Sequence, residues 1–288
     1  MTAYLLLTLA CTGTGTGTTG STTDSGSEIY VEPPPEFPAY TGGDECPEIV
    51  EGTNTGFESL EQNRRFEVFL PDEPEGAPLV FSWHPLGWNA DDWADWMDLE
   101  DWAKEIGAIV VVPTSCCSLV EWMFLNPATD NEDLAFFDDV LGCLYEQYAY
   151  DHKRIYSTGM SAGGLMTTYL TIHRSEWLAA AAPFSGGTEG LVTYETPAEP
   201  IPVLITWGGT SDTWQTFDFH AANEAFSSEL QADGHFVAEC VHDGGHTIQK
   251  SWLDWAWTWL EDHPKDVASE PYADGLPSDF PSWCEIPE

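Results

Sequence analysis

Residues 154–164, reading RIYSTGMSAGG, constrain this chain more than any other stretch. Ile155, Tyr156 and Ser157 read as a short buried strand, and Ser161 follows inside a Gly-x-Ser-x-Gly run, Gly159-Met160-Ser161-Ala162-Gly163, with a helical pattern beginning at once. The order predicts a strand, a sharp turn and a helix. A serine held at the tip of such a strained turn needs neighbours two positions away that lack a Cβ and permit close approach, and Gly159 and Gly163 meet that need. A hydroxyl is a weak nucleophile at its free pKa, so the turn gains chemical meaning only if a histidine and an orienting carboxylate arrive from elsewhere in the chain.

The surrounding sequence supplies a scaffold for that turn. Residues 65–70, 79–83 and 109–113 read as strands, the first two separated by the turn-rich PDEPEGAP. Asn131 or a neighbour can cap a helix whose apolar positions, Leu134, Phe137, Val140, Leu141, Leu144 and Tyr148, follow the helical period. After the serine turn, Leu165, Met166, Tyr169 and Leu170 form one buried helical face. Residues 179–184 and 201–206 then read as strands, 217–232 as a helix, 236–241 as a last strand and 248–262 as a final helix ending before Pro264. Strands alternating with helices predict an α/β fold, a mostly parallel central sheet covered by helices on both faces. We expect a single domain over residues 46–264, followed by a tail over 265–288.

Residues 1–45 are read apart from that domain. Residues 4–10 are an apolar run too short to span a bilayer, ending before Cys11; residues 12–27 are low-complexity Gly, Thr and Ser, and Pro- and Gly-rich sequence continues the linker to 45. The run 1–10 reads as a signal segment. TLAC matches the end of a lipobox, with Cys11 then lipidated and the only route to a membrane; a plain secretory signal is the other reading. Either way the protein is expected to be exported. Export agrees with the remaining six cysteines, Cys46, Cys116, Cys117, Cys143, Cys240 and Cys284, an even number that allows three disulfides in one of 15 connectivities. Cys284 is positioned to pin the tail. No Cys-x-x-Cys spacing or paired histidine points to zinc at Cys116 and Cys117, and no metal site is expected.

The formal net charge of −41, from 49 acidic residues against 8 Lys and Arg, argues against nucleic acid or an anionic membrane surface as a partner and favours a neutral substrate. We expect a monomer.

Eight histidines compete for the role of base. His246 stands out because it follows Gly244-Gly245 between the last strand and the final helix, where a loop projects side chains over the carboxyl edge of a sheet. His242 is the nearby alternative. The carboxylate should lie between Ser161 and His246, in the order serine, acid, histidine. Asp212 does so, reached from the strand over 201–206 through the loop WGGTS, and Asp218 is the reserve. Two preorganised N–H groups are needed for an oxyanion. Ala162 supplies one at the start of the helix, and Leu86, in the loop HPLG after strand 79–83, supplies the other because Pro85 has no N–H to give. Trp88, Trp93, Trp122, Trp207 and Trp214 fall on loops near the site, and Trp88, Trp207, Trp214 and Met160 are the candidates for substrate contact; the competing reading is that many of these aromatics are core.

These residues together resemble the secreted polyhydroxybutyrate depolymerase and feruloyl esterase-like branch of the α/β-hydrolases. The likeness runs from Cys46 to about residue 261 through RRFEVFLP, APLVFSWHPLG, DLAFFDDVL, DHKRIYSTGMSAGG, GGTSD and DGGHT. It implies the α/β-hydrolase fold, with Ser161 as nucleophile, Asp212 as orienting acid, His246 as base, and Leu86 with Ala162 as oxyanion donors. It also implies hydrolysis of a carboxylic ester, a polyester or a feruloyl or acetyl ester, through an acyl-enzyme and without a cofactor. One departure stands out: the family usually has His-Gly where this chain has His84-Pro85. A serine peptidase of the same fold and an inactive surface-binding hydrolase-like module are the competing functions.

Overall fold

Five runs, buried throughout except for Thr114 at the end of the second, Leu79–Trp83 (β3), Ile109–Thr114 (β4), Ile155–Met160 (β5), Ala180–Phe184 (β6) and Val203–Trp207 (β7), occupy the middle of one sheet. The structure is a computed structural model that describes residues 35–116 and 118–287. Before these strands lie β1 (Gly52–Ser59) and β2 (Gln62–Phe69), and after them β10 (Val237–Val241) and β11 (Cys284–Glu285). Among the described residues the sheet order is β1-β2-β4-β3-β5-β6-β7-β10-β11. Neighbours from β4 through β10 are parallel, while β1, β2 and β11 pair antiparallel at the two edges.

Alternation along each parallel strand sends side chains to two separate cores. Leu79, Phe81, Ile109, Val111, Ile155, Val203 and Ile205 face one cluster. It is completed by the helices α3 (Glu132–Tyr148), α4 (Ala162–His173) and α5 (Phe219–Ala232). Val80, Val110, Val112, Tyr156, Ala182 and Leu204 face the other, which is covered by α1 (Ala90–Met97), α2 (Leu99–Ile106) and α6 (Trp252–Asp262). The expected mostly parallel sheet with helices on both faces is therefore present, and it is the fold of an α/β-hydrolase.

Local chemistry sets the helix starts. The Asn89 side chain accepts from the Asp92 N–H at α1, and Asn131 accepts from the N–H groups of Asp133 and Leu134 at α3. Each helix also carries two acidic residues in its first turn, where the backbone dipole favours negative charge. α2 stops at Gly107, whose φ of +66° is open to glycine without cost.

The short or polar edge elements escape a reading by periodicity. β1, GTNTGFES, lacks an apolar alternation because it bulges between Thr55 and Phe57, where Gly56 takes φ +76°. The expected helix over 217–232 begins at Phe219, because Phe217–Asp218 (β9) pairs instead with Thr213–Trp214 (β8) in a two-stranded ribbon. The final helix begins at Trp252 rather than 248.

The chain divides into residues 1–35 and 36–288, and the second forms one compact unit. That unit takes in residues 36–45, assigned above to the linker, because Phe37 and Tyr40 pack on the core. It also takes in the tail, where Tyr272 and Phe280 are buried against α6. The signal segment and Cys11 lie outside the described residues. Two of the bridges are Cys46–Cys143 and Cys240–Cys284, the second fastening β11 to β10. Cys116 is also disulfide-bonded, and Cys117 lies outside the described residues. Among the described residues no helix is long and apolar enough to cross a membrane.

The Cys46–Cys143 bridge closes a loop of 97 residues. Replacing both cysteines by serine is expected to lower the unfolding free energy by about 4 kcal/mol, read from guanidinium denaturation with the other bridges intact. An unchanged midpoint would mean that the loop is already constrained in the unfolded chain.

Candidate active site

Ser161 sits between β5 and α4 with φ +59° and ψ −117°, a backbone conformation that an L-residue holds only when its surroundings over-determine it. Those surroundings are backbone. A Cβ on Gly163 would stand 1.9 Å from the Trp83 carbonyl oxygen, and one on Gly159 2.7 Å from both Trp83 O and Gly163 O. The helix start is therefore packed directly on the end of β3, at a distance only glycine permits. The Ser161 N–H donates to Phe184 O at 2.9 Å, tying the turn to β6 as well. The outcome is a serine at the carboxyl edge of the sheet, 8 % exposed, with its side chain projecting from the turn.

His246 and Asp212 reach the serine from two neighbouring loops that also touch through backbone. A Cβ on Gly208, just past β7, would lie 2.1 Å from Gly245 O, so the acid-bearing and histidine-bearing loops meet at a glycine. Gly245 itself takes φ +68°. His246 Nε2 lies 2.8 Å from Ser161 Oγ, and Nδ1 lies 2.7 Å from Asp212 Oδ1. The imidazole stacks on Phe219, with ring centroids 4.5 Å apart, and has Trp214 on its open side at 5.9 Å.

Asp212 is fully buried, which by itself would push its carboxyl up, yet the carboxyl is held below its ordinary value. Hydrogen bonds outweigh the burial. Besides the His246 contact, Oδ2 accepts from Ser185 Oγ at 2.7 Å and from the Gly208 N–H at 2.8 Å. An ionised carboxylate can only accept, so His246 carries its proton on Nδ1 and donates it to Asp212. The Nε2 lone pair then faces the serine hydroxyl, which donates to it.

The structure thus brings Ser161, Asp212 and His246 together and leaves the reserves apart. Asp218 caps α5, accepting from the Ala221 N–H. His242 is buried against Trp252 and Trp283, and its Nδ1 accepts from the Gly244 N–H. Ser185 and Phe219, which bind the acid and stack on the histidine, carried no sequence signal, because neither belongs to a motif and both arrive through the fold.

Ala162 opens α4 beside the serine, and Leu86 lines the same cleft from the loop after β3. That loop is braced where the sequence reads His84-Pro85. His84 is fully buried, Nε2 accepting from the Ser115 N–H at 3.1 Å and Nδ1 donating to Pro85 O at 2.9 Å. Burial pushes its imidazole down, so it stays neutral and can fill both roles. Farther along, the Gly87 N–H donates to Glu121 Oε1, and the same carboxylate accepts from Ser115 Oγ.

Two apolar cavities meet at Ser161. The first, of about 210 Å³, has Met160, Trp88 and Trp214 in its wall; the second, of about 190 Å³, shares Leu86 and Trp214. Three of the four candidates for substrate contact therefore line the cleft. Trp207 does not: it is buried in β7, its indole N–H donating to His220 Nδ1 at 3.0 Å. Trp122 is likewise core, donating to His84 O, whereas Trp93, packed edge-on against Trp88, lines the first cavity. Among the described residues no cluster of His, Cys, Asp and Glu is arranged to hold a metal ion.

No protein-family profile matches the chain. Feruloyl esterase B of Thermothelomyces thermophilus is 25% identical over 152 residues, which cover 51% of this chain and 52% of that protein. The chain thus spans about half the length of that relative. Oxidized polyvinyl alcohol hydrolase of a Sphingopyxis species is 22% identical over 300 residues, 76% of this chain and 82% of that one. Among solved structures, native pOPH superposes with a TM-score of 0.71 at 21% identity, covering 85% of this chain and 97% of that chain. A ferulic acid esterase gives 0.57 at 18% identity, covering 72% and 96%.

The lowered Asp212 carboxyl has a consequence for stability. A group whose folded value is depressed stabilises the fold above its ordinary value, here 3.8, and that contribution is lost as pH falls through the folded value. The stability difference between the protein and Asp212→Asn is expected to shrink as the pH falls below about 4, compared by denaturant midpoints on the two proteins. A difference that widens on acidification would mean that the carboxyl is protonated in the fold.

Proposed function

The chain has the α/β-hydrolase fold and is related to esterases, and from that premise we propose that it is a serine esterase acting on carboxylic esters through Ser161, His246 and Asp212. The observation that carries the reading is the continuous relay from the Ser161 hydroxyl through both nitrogens of His246 to a carboxylate held ionised. Ser161 Oγ attacks the ester carbonyl carbon while its proton passes to His246 Nε2. The resulting imidazolium is stabilised by Asp212, whose geometry also fixes the tautomer. As the carbonyl re-forms, the bond to the alcohol oxygen breaks and His246 returns the proton to it, leaving the acyl group on Ser161. Water then repeats the sequence, giving up a proton to His246 and releasing the acid.

The charge that develops on the carbonyl oxygen is met by the Ala162 N–H, one of the unpaired amides at the start of α4, and by the Leu86 N–H. Each such donor is worth about 3 to 4 kcal/mol of barrier. None of these steps calls on a cofactor. The substrate is a neutral ester, because the cleft walls are apolar and the protein carries a net charge of −41. Polyester and feruloyl or acetyl esters are the classes that the sequence resemblance brings forward. We place the enzyme outside the cytoplasm, tethered through Cys11 or freely secreted; the disulfides support an oxidising compartment.

A fluorophosphonate probe is expected to label the protein stoichiometrically and to leave Ser161→Ala unlabelled, read by intact-mass spectrometry. Equal labelling of that variant would refute the assignment. His246→Ala is expected to lower kcat on p-nitrophenyl butyrate by about 10³ or more with the fold retained. A tenfold loss or less would remove His246 from the role of base.

A further inference from the structure

The two cavities that meet at Ser161 are chemically unequal in one respect that decides what each holds. Both touch Leu86, Ser161 and Trp214, but His246 lines only the first and Ala162 only the second. Resting on the esterase reading above, we infer that the first cavity is the alcohol lobe, walled by Trp88, Trp96 and Ile248, and the second the acyl lobe, walled by Phe124, Leu165 and Leu191.

The argument is one of proton reach. When the tetrahedral adduct collapses, the leaving oxygen must take its proton from His246 Nε2, which stands 2.8 Å from Ser161 Oγ. The alcohol is therefore on the side of the serine that His246 borders. The oxyanion occupies the position facing the Ala162 and Leu86 amides, and the one substituent left, the acyl chain, enters the cavity that begins at Ala162.

The walls then set what each lobe accepts. Phe124 and Leu165 are buried in its wall, so the acyl lobe takes an apolar group and discriminates by its size. Aromatic faces border the alcohol lobe. Trp88 and Trp96 are 36 % and 42 % exposed with ring centroids 5.6 Å apart, and the same two side chains wall an adjoining surface groove that carries Asp92 and Asp95. An alcohol bearing a flat ring finds indole faces along this path, and a long one can continue beyond the cleft.

Two substrate series on two variants test the division. One varies the acyl chain as p-nitrophenyl acetate against octanoate, and the other varies the alcohol as methyl against 2-naphthyl acetate. Leu191→Trp is expected to lower the octanoate-to-acetate ratio of kcat/KM by about 10-fold or more while the naphthyl-to-methyl ratio stays within about twofold of wild type. Trp96→Ala is expected to do the reverse, lowering the naphthyl-to-methyl ratio by about 10-fold and leaving the acyl ratio alone. Each ratio is taken within one protein sample, so partial misfolding of a variant cancels. A swapped pattern, or both ratios moving together in each variant, overturns the lobe assignment while the esterase reading stands. A wild-type protein that hydrolyses none of these esters overturns both.

Discussion

The contact on which this structure turns is between backbones: the first turn of α4 rests on the carbonyl of Trp83 at the end of β3, with no side chain between them. Gly163 makes this possible, and a single methyl there would overlap the carbonyl oxygen. Gly164 does the same against β6, where an added Cβ would stand 2.3 Å from Phe184 O. The helix is thereby clamped across the ends of two strands, and the residue that must bridge from strand to helix is forced into a positive φ. Strain at Ser161 is thus a product of tight packing elsewhere, and it holds the hydroxyl clear of the sheet. A second glycine contact, Gly208 against Gly245, performs the matching task for the two loops that deliver the acid and the base.

Electrostatics in the site run against those of the molecule as a whole. A protein carrying 49 acidic residues gives any carboxylate a repulsive background, and burial of Asp212 adds a desolvation cost. Three directed hydrogen bonds, from His246, Ser185 and Gly208, reverse the balance and keep the carboxyl ionised. Short-range geometry prevails because each donor points at a specific oxygen of a buried carboxylate, whereas the distant charges are screened by solvent. Two other buried acids are paired with arginine, Asp133 with Arg64 and Asp138 with two nitrogens of the Arg174 fork. Much of the scarce positive charge is thus committed to the interior and to loop braces.

The His84-Pro85 pair illustrates how a departure from a family pattern is absorbed. Proline removes one amide from the loop, and the neighbouring histidine becomes a fully buried, neutral strut between Pro85 O and the Ser115 N–H. The sequence places Trp122 on a loop near the site, but its indole N–H turns inward and donates to His84 O. Sequence position next to a site loop placed both residues correctly along the chain and could not say which way their side chains turn.

What the sequence determined by itself was local and periodic. The central strands announce themselves because both faces are buried, and the start of α3 because Asn131 is a capping residue; the serine turn is legible because steric demand leaves glycine no substitute. The order of serine, acid and histidine along the chain was legible through the resemblance to α/β-hydrolases. Tertiary structure alone decided the rest. The edge strands β1 and β11 exist only because a partner strand satisfies their backbone. Ser185 and Phe219 act on Asp212 and His246 from 27 residues away in the chain, in both cases, and only the crossing of β6, β7 and α5 brings them there. Trp207 went into the core and Trp96 onto the cleft because an indole's surroundings depend on which face of its element meets the sheet, a property of packing across the chain that no single stretch encodes.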